Sequence, residues 1–159
     1  MAKVLRHVFA DILSGLAVAA LLIGSANASE LCEEFTKLIR RAESGFYLER
    51  GTDVLTSLSG AEDCGLSDNL DGTRNYHCMW EFEYRDPEAY DLFEKMTHSL
   101  RTCFGGSAAE LRDQPVNHPD FYDQNSFTVE GVRVAVSIKD KGALQRTFAF
   151  VRIHLANAD

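Results

Sequence analysis

The sequence predicts an α+β fold, a two-layer sandwich in which an antiparallel sheet of about five strands carries two helices on one face. Three stretches predict it. Tyr76 to Tyr84 alternates, with Tyr76, Cys78, Trp80, Phe82 and Tyr84 on one face and His77, Met79, Glu81 and Glu83 on the other. Asp86 to Phe104 repeats its apolar residues at helical spacing. Ser126 to Ile138 alternates again on both sides of Glu130-Gly131. The predicted order is α-β-β-α-β-β-β, in one domain without internal repeats.

Residues 1–28 read as a cleaved secretory signal peptide. Lys3, Arg6 and His7 make a basic start, an apolar run follows from Ile12 to Gly24, and Ala26-Asn27-Ala28 is an A-x-A cleavage site. The run is too short and too rich in Ala and Gly for a bilayer span. Glu30-Leu31 before Cys32 does not suit a lipidated cysteine. The mature domain is then 29–159, secreted or periplasmic.

Ser29 to Ala42 reads as a helix. Cys32, Phe35, Leu38, Ile39 and Ala42 share one face, and its acids precede its bases as the helix dipole prefers. Ser44-Gly45 ends it, and Phe46 to Leu48 is a packed connection. Val54 to Leu58 reads as a short strand, and Glu62 to Asn75 as a polar loop. Within that loop, Asp68 to Gly72 departs from a calcium loop, because Leu70 takes a ligand position and no bidentate Glu follows. After the Tyr76–Tyr84 strand, Asp86 caps the second helix, Pro87 suits its first position and Gly105-Gly106 stops it. Gly105 to Asn125 reads as a long loop with a helical turn at Ala108–Arg112. The hairpin pairs Val129 with Val132 and Phe127 with Val134. Asp140-Lys141-Gly142 turns the chain. The last strand, Arg146 to Leu155, is apolar on both faces, which asks for a central position or a bulge near Phe150.

All four cysteines lie in the mature domain, and an even number in an exported chain implies two disulfides. Cys64 and Cys78 flank a turn-rich loop and are expected to pair, leaving Cys32 with Cys103. No close Cys/His spacing points to a metal, and no cofactor is expected. Cleavage removes Lys3, Arg6 and Asp11, so 14 basic residues face 23 acidic ones, a net charge of −9. That argues against nucleic acid and anionic membranes as partners and admits a basic protein partner.

The best polar cluster is His118 with Asp120 and Asp123, in a loop that also holds Asn117, Phe121 and Tyr122. A histidine near carboxylates suits acid–base work. Equally, Asn117 and Asp120 suit turn caps around Pro119, with Phe121 and Tyr122 pinning the loop to the core. His77, Glu81 and Glu83 share a solvated strand face, where Glu81 and Glu83 are expected to meet Arg133 or Lys139. Met79 is the apolar residue on that face and fits an interface or a second covered face. No serine-hydrolase elbow, zinc-protease motif, Walker loop or dinucleotide-binding glycine pattern occurs. The order of elements resembles secretion-chaperone folds at the level of fold alone. Those chaperones work in the cytoplasm, and the export signal points elsewhere.

The expected function is therefore an exported, non-catalytic binding protein for a protein or peptide partner, using Asn117, His118, Asp120, Phe121 and Tyr122. One alternative is a small hydrolase-like or metal-dependent enzyme using His118 with Asp120 or Asp123. Another is a structural protein that dimerises through the face carrying Met79. Mass spectrometry of the exported protein is expected to find Ser29 at its N terminus, and thiol titration of the denatured, unreduced protein to find no free thiol. A different terminus, or two or more titratable thiols, would show the export reading to be wrong.

Overall fold

The structure, a computed structural model, describes residues 23–46, 57–68, 72–105, 108–112 and 120–156. Two helices, α1 (Ile23–Glu43) and α2 (Pro87–Phe104), lie against strands β1 (Asp63–Asp68), β2 (Arg74–Glu83), β3 (Ala108–Arg112), β4 (Tyr122–Val129), β5 (Val132–Lys141) and β6 (Arg146–Leu155). The strands form one antiparallel sheet in the order β1-β2-β6-β5-β4-β3. The predicted two-layer α+β sandwich is what the chain adopts.

The core lies between the helices and one face of the sheet. From α1 it takes Phe35, Leu38, Ile39 and Ala42, and from α2 Ala89, Phe93, Met96 and Leu100. From the sheet it takes the alternate residues Tyr76, Cys78 and Trp80 of β2, Val132, Val134, Val136 and Ile138 of β5, and Ala149, Val151 and Ile153 of β6. Each larger side chain buried in this way contributes about 1.5–3 kcal/mol. Phe46 closes one end by stacking on Tyr76, with ring centroids 6.2 Å apart.

Local chemistry sets the boundaries. Asp86 caps α2, its Oδ1 accepting from the Glu88 amide at 2.9 Å, and Pro87 takes the first helical position. Gly45, at φ +64°, lets the chain leave α1, and the Phe46 amide returns to the Arg41 carbonyl. Glu130 and Gly131 have φ values of 53° and 79°, the primed turn that a two-residue hairpin needs. It pairs Val129 with Val132 and Phe127 with Val134, as the apolar pattern predicts.

Cys32 is bonded to Cys103 and Cys64 to Cys78, the expected pairing. The first bridge ties α1 to the end of α2 across 71 residues, the second links directly opposed residues of β1 and β2 across 14. Loop-closure entropy gives the longer bridge about 4 kcal/mol and the shorter about 3. Two disulfides suit an oxidising compartment. Among the described residues, no helix is long and apolar enough to cross a membrane.

The structure corrects four local expectations. The strand expected at Val54–Leu58 is absent from Ser57 and Leu58, and residues 54–56 lie outside the described residues. The first strand is instead Asp63–Asp68, inside the expected polar loop. It is a six-residue edge strand in which only Cys64 and Leu66 pack, partly buried, against the core, an alternation too short to stand out in the sequence. The helical turn expected at Ala108–Arg112 is the opposite edge strand, β3, where backbone pairing with β4 overrides the helix preference of Ala, Glu, Leu and Arg. The expected long loop from Gly105 to Asn125 thus contains β3 and the start of β4, which begins at Tyr122. The last strand has no bulge near Phe150: its pairing runs unbroken from Arg146 to His154 against β2 and onward to Leu155 against β5. β6 is central, the other outcome its composition allowed. Helix α1 also begins earlier than Ser29, at Ile23, so the expected cleavage site falls within its first turns.

Gly131→Val is expected to cost about 1–3 kcal/mol, because a β-branched residue resists positive φ. Nothing lies within 4 Å of the position a Cβ would take there, so the cost is conformational, without a clash. Urea denaturation should show a lower midpoint at unchanged slope, and an unchanged midpoint would contradict this assignment of the turn.

Candidate functional site

The face of the sheet turned away from the helices carries a depression of about 650 Å³, a size typical of ligand sites. Its shape follows from the register. Met79 of β2 lies beside Phe150 of β6, Phe150 beside Ser137 of β5, and Ser137 beside Gln124 of β4. In the next row Phe148 lies beside Lys139, with Tyr122 beyond. On the other side Arg152 lies between His77 and Ala135, with Ser126 beyond. β5 thus presents the short side chains Ala135 and Ser137 between taller neighbours on β6 and β4. A groove along β5 is the result.

The two walls differ. On β6, Phe148 and Phe150 stack on each other, centroids 6.0 Å apart and planes 26° apart. On β4, the Tyr122 hydroxyl donates to Gln124 Oε1 at 2.6 Å, and Gln124 Nε2 donates to Ser126 Oγ at 3.3 Å. One wall is apolar and the other is a row of hydrogen-bonding groups. Leu144, the large apolar side chain most open to solvent at 63%, stands at one end.

The charge around the groove is one-sided. Arg133, Lys139 and Arg152 line it, and none of them has an ion pair or side-chain hydrogen bond among the described residues. Among the described residues, no acidic one lines it. Glu81 and Glu83 lie at the adjoining corner, where Arg146 holds both, Nε to Glu81 Oε1 at 2.8 Å and Nη1 to Glu83 Oε2 at 3.0 Å. Their partner is thus Arg146, in place of the expected Arg133 or Lys139. Arg133 lies opposite His154 and Thr128, and Lys139 opposite Phe148 and Tyr122.

Of the residues expected to form a site, Asn117 and His118 lie outside the described residues. Asp120 accepts from Lys141 Nζ at 3.2 Å and from the Gly142 amide at 3.1 Å, so it secures the end of β5. Asp123 is buried on the helix side, paired with Arg112 at 2.8 Å. Its carboxylate holds the Arg112 guanidinium above the ordinary arginine pKa. The two aspartates are thus engaged with separate partners, and no group of three potential metal ligands occurs among the described residues. Phe121 packs on the core beside Tyr90, rings 6.0 Å apart. Tyr122 points the other way and lines the groove. Residues missed by the sequence reading are Phe148, Phe150, Arg152 and Lys139 as one surface. Their signal was the two-sided apolar pattern of β6 beside the small residues of β5.

A second polar cluster is buried. Asp140 reads as a turn residue in the sequence, yet it is the last inward position of β5 and fully buried. It accepts from Thr147 Oγ1 at 2.7 Å, from the Tyr90 hydroxyl at 2.9 Å and from Arg85 Nε at 3.3 Å. The Arg85 amide in turn donates to Thr147 Oγ1 at 2.8 Å. Arg85 sits at φ 58° in the β2–α2 turn, so the cluster fixes that turn to β5, β6 and α2. Burial, then hydrogen bonding to Asp140 and its charge, push the Tyr90 pKa up to about 12. The folded value lies above the ordinary 10, so the contribution of Tyr90 is full below pH 10 and is lost as pH rises through about 12. Tyr90→Phe is expected to lower stability by about 1–2 kcal/mol at neutral pH and to flatten the fall in stability above pH 10. Asp140→Ala, which strands two hydroxyls and a guanidinium, is expected to cost about 3 kcal/mol. Urea denaturation at pH 7 and pH 11 checks both, and equal pH slopes for wild type and Tyr90→Phe would remove the cluster from this account.

No protein-family model matches the chain, and no curated protein matches it.

Proposed function

We propose that this chain is an exported, non-catalytic binding protein whose open sheet face receives a protein or peptide partner. The single observation that carries this is the groove along β5, with an apolar wall, a polar wall and three cations that have no ion pair among the described residues. Monomeric surfaces seldom leave stacked aromatics and a neighbouring methionine together at one depression unless something covers them. The groove is built from strands, so its side chains are already placed and a partner pays little for ordering them. The export reading agrees with the two disulfides.

This moves the binding surface from the Asn117–Tyr122 segment to the sheet face, with Tyr122 common to both. The argument for that segment rested on a single long loop, and strands β3 and β4 take up nine of the residues from Gly105 to Asn125. The enzymatic alternative, His118 with Asp120 or Asp123, has less support. Each aspartate is engaged with a cation of its own, and the two do not converge. Self-association of the Met79 faces is opposed by charge, because it would bring Arg133, Lys139 and Arg152 toward their own copies.

A photo-reactive phenylalanine analogue in place of Leu144, at the groove's end, is expected to capture a partner from native envelope or medium. The same analogue in place of Lys95, exposed on α2, is expected to capture none, and Phe150→Asp should abolish capture from Leu144. Equal capture from both positions, or capture that survives Phe150→Asp, would rule the open face out as the binding surface.

A further inference from the structure

We infer that the groove takes an extended acidic peptide segment that also carries apolar side chains. This rests on the reading of the open face as a binding surface and specifies its ligand. The chain is acidic overall, with a formal net charge of −8, yet among the described residues the groove lining contains no Asp or Glu and three cations without an ion pair. Most of the cations that flank the sheet elsewhere are neutralised: Arg74 by Asp68, Arg85 by Asp140, Arg112 by Asp123 and Arg146 by Glu81 and Glu83. A surface that leaves its cations without counterions in an acid-rich chain is complementary to negative charge.

Geometry selects an extended chain. Arg133 and Lys139 stand on the same strand six residues apart, about 20 Å, the reach of roughly six extended residues. Between them lie the short side chains Ala135 and Ser137, with Phe150 and Met79 to one side. A segment lying along β5 therefore meets Arg133 and Arg152 over one half, and Phe150, Phe148 and Met79 with Lys139 over the other. Its backbone meets the hydrogen-bonding row of Tyr122, Gln124 and Ser126.

Three other occupants fit less well. A fatty acyl chain would cover the polar row and Ser137 without supplying hydrogen bonds, which costs free energy. A second copy of this face would oppose like charges. A single-stranded nucleic acid needs free ring faces on which to stack bases, whereas Phe148 and Phe150 are half-buried and stacked on each other.

The test uses the purified mature protein and fluorescence anisotropy. The probes are a fluorescein-labelled peptide with two central phenylalanines flanked by glutamates, its twin with lysines for glutamates, labelled dodecanoate and a labelled thymidine oligonucleotide. The acidic peptide is expected to bind saturably, more tightly at low salt, and in preference to the other three. The variant R133E/K139E/R152E is expected to weaken it by about tenfold to a hundredfold and to bind the lysine peptide instead. The neutral variant R133Q/K139Q/R152Q should weaken the acidic peptide without favouring the lysine one, and thermal unfolding confirms that both variants are folded. No saturable binding of the acidic peptide, equal binding of the two peptides, or tighter binding of dodecanoate or oligonucleotide would overturn the proposal. Phe150→Ser separates the two levels. If it abolishes peptide binding while the charge variants leave it unchanged, the open face stands and the acidic ligand falls. If neither change affects binding, the open face falls as well.

Discussion

Everything in this molecule depends on burying one face of β5 and β6 under two helices. Val132, Val134, Val136 and Ile138 on one strand and Ala149, Val151 and Ile153 on the next make a fully covered surface at the centre of the sheet. A slip of one residue in either strand would turn that surface to water and bring Arg133, Lys139 or Arg152 into the core. Register is therefore fixed by a large free-energy difference, and the hairpin turn and the two disulfides only reinforce it. Once the inner face is fixed, the identity of each outward residue is fixed too. The stacked phenylalanines, the methionine and the unpaired cations share a face because the valines and isoleucines between them share the other.

The carboxylates show how charge is divided under that constraint. Asp120, Asp123 and Asp140 each sit at or near a strand end and each holds a cation from another part of the chain. They tie β4, β5, the β2–α2 turn and β3 together where the apolar core thins out. Of the three, Asp140 contributes most, since it alone is fully buried and accepts hydrogen bonds from two hydroxyls as well as from arginine. Asp120 is partly exposed, and a pair of that kind is worth little on its own. With these acids committed to the margins and Glu81 and Glu83 held by Arg146, no Asp or Glu among the described residues lines the groove. Net charge, an average over the whole surface, points to basic partners. The local surface points the other way.

What the sequence made legible follows the same logic. Both helices, the β2 strand, the hairpin and the disulfide pairing could be read because each has a buried side with a period, a cap or a required turn residue. β1 and β3 could not be read that way, because a strand at the edge of a sheet owes its structure to backbone pairing with a neighbour. Gly65, Leu66 and Ser67 carry too little alternation to stand out, and Ala108 to Arg112 would suit a helix in isolation. Asp140 was legible in part: it continues the inward series from Val132 to Ile138, and a carboxylate at the end of such a series asks for partners. The partners Tyr90 and Arg85 lie 50 and 55 residues from Asp140 along the chain, and only the fold brings them to it. The groove was legible only as fragments, an apolar Met79 here and a two-sided β6 there, because a surface is assembled across strands whose register no single stretch contains.

A groove of this construction trades depth for readiness. Its walls are side chains on paired strands, so little conformational freedom is lost when they meet a partner. Arg133 and Arg152 are exposed and Lys139 partly so, so on the proposed reading they would act mainly on encounter and on discrimination between partners, and salt would screen them. The apolar wall is short, a methionine and two phenylalanines, so the area it removes from water is modest. On the proposed reading, binding built on those terms would be reversible and selective for charge more than tight. A tighter site would need a closed cavity, and closing this one would require covering β5 with larger side chains than Ala135 and Ser137. Those two small residues are what keep the face open, and the aromatic wall beside them is useful only because they are small.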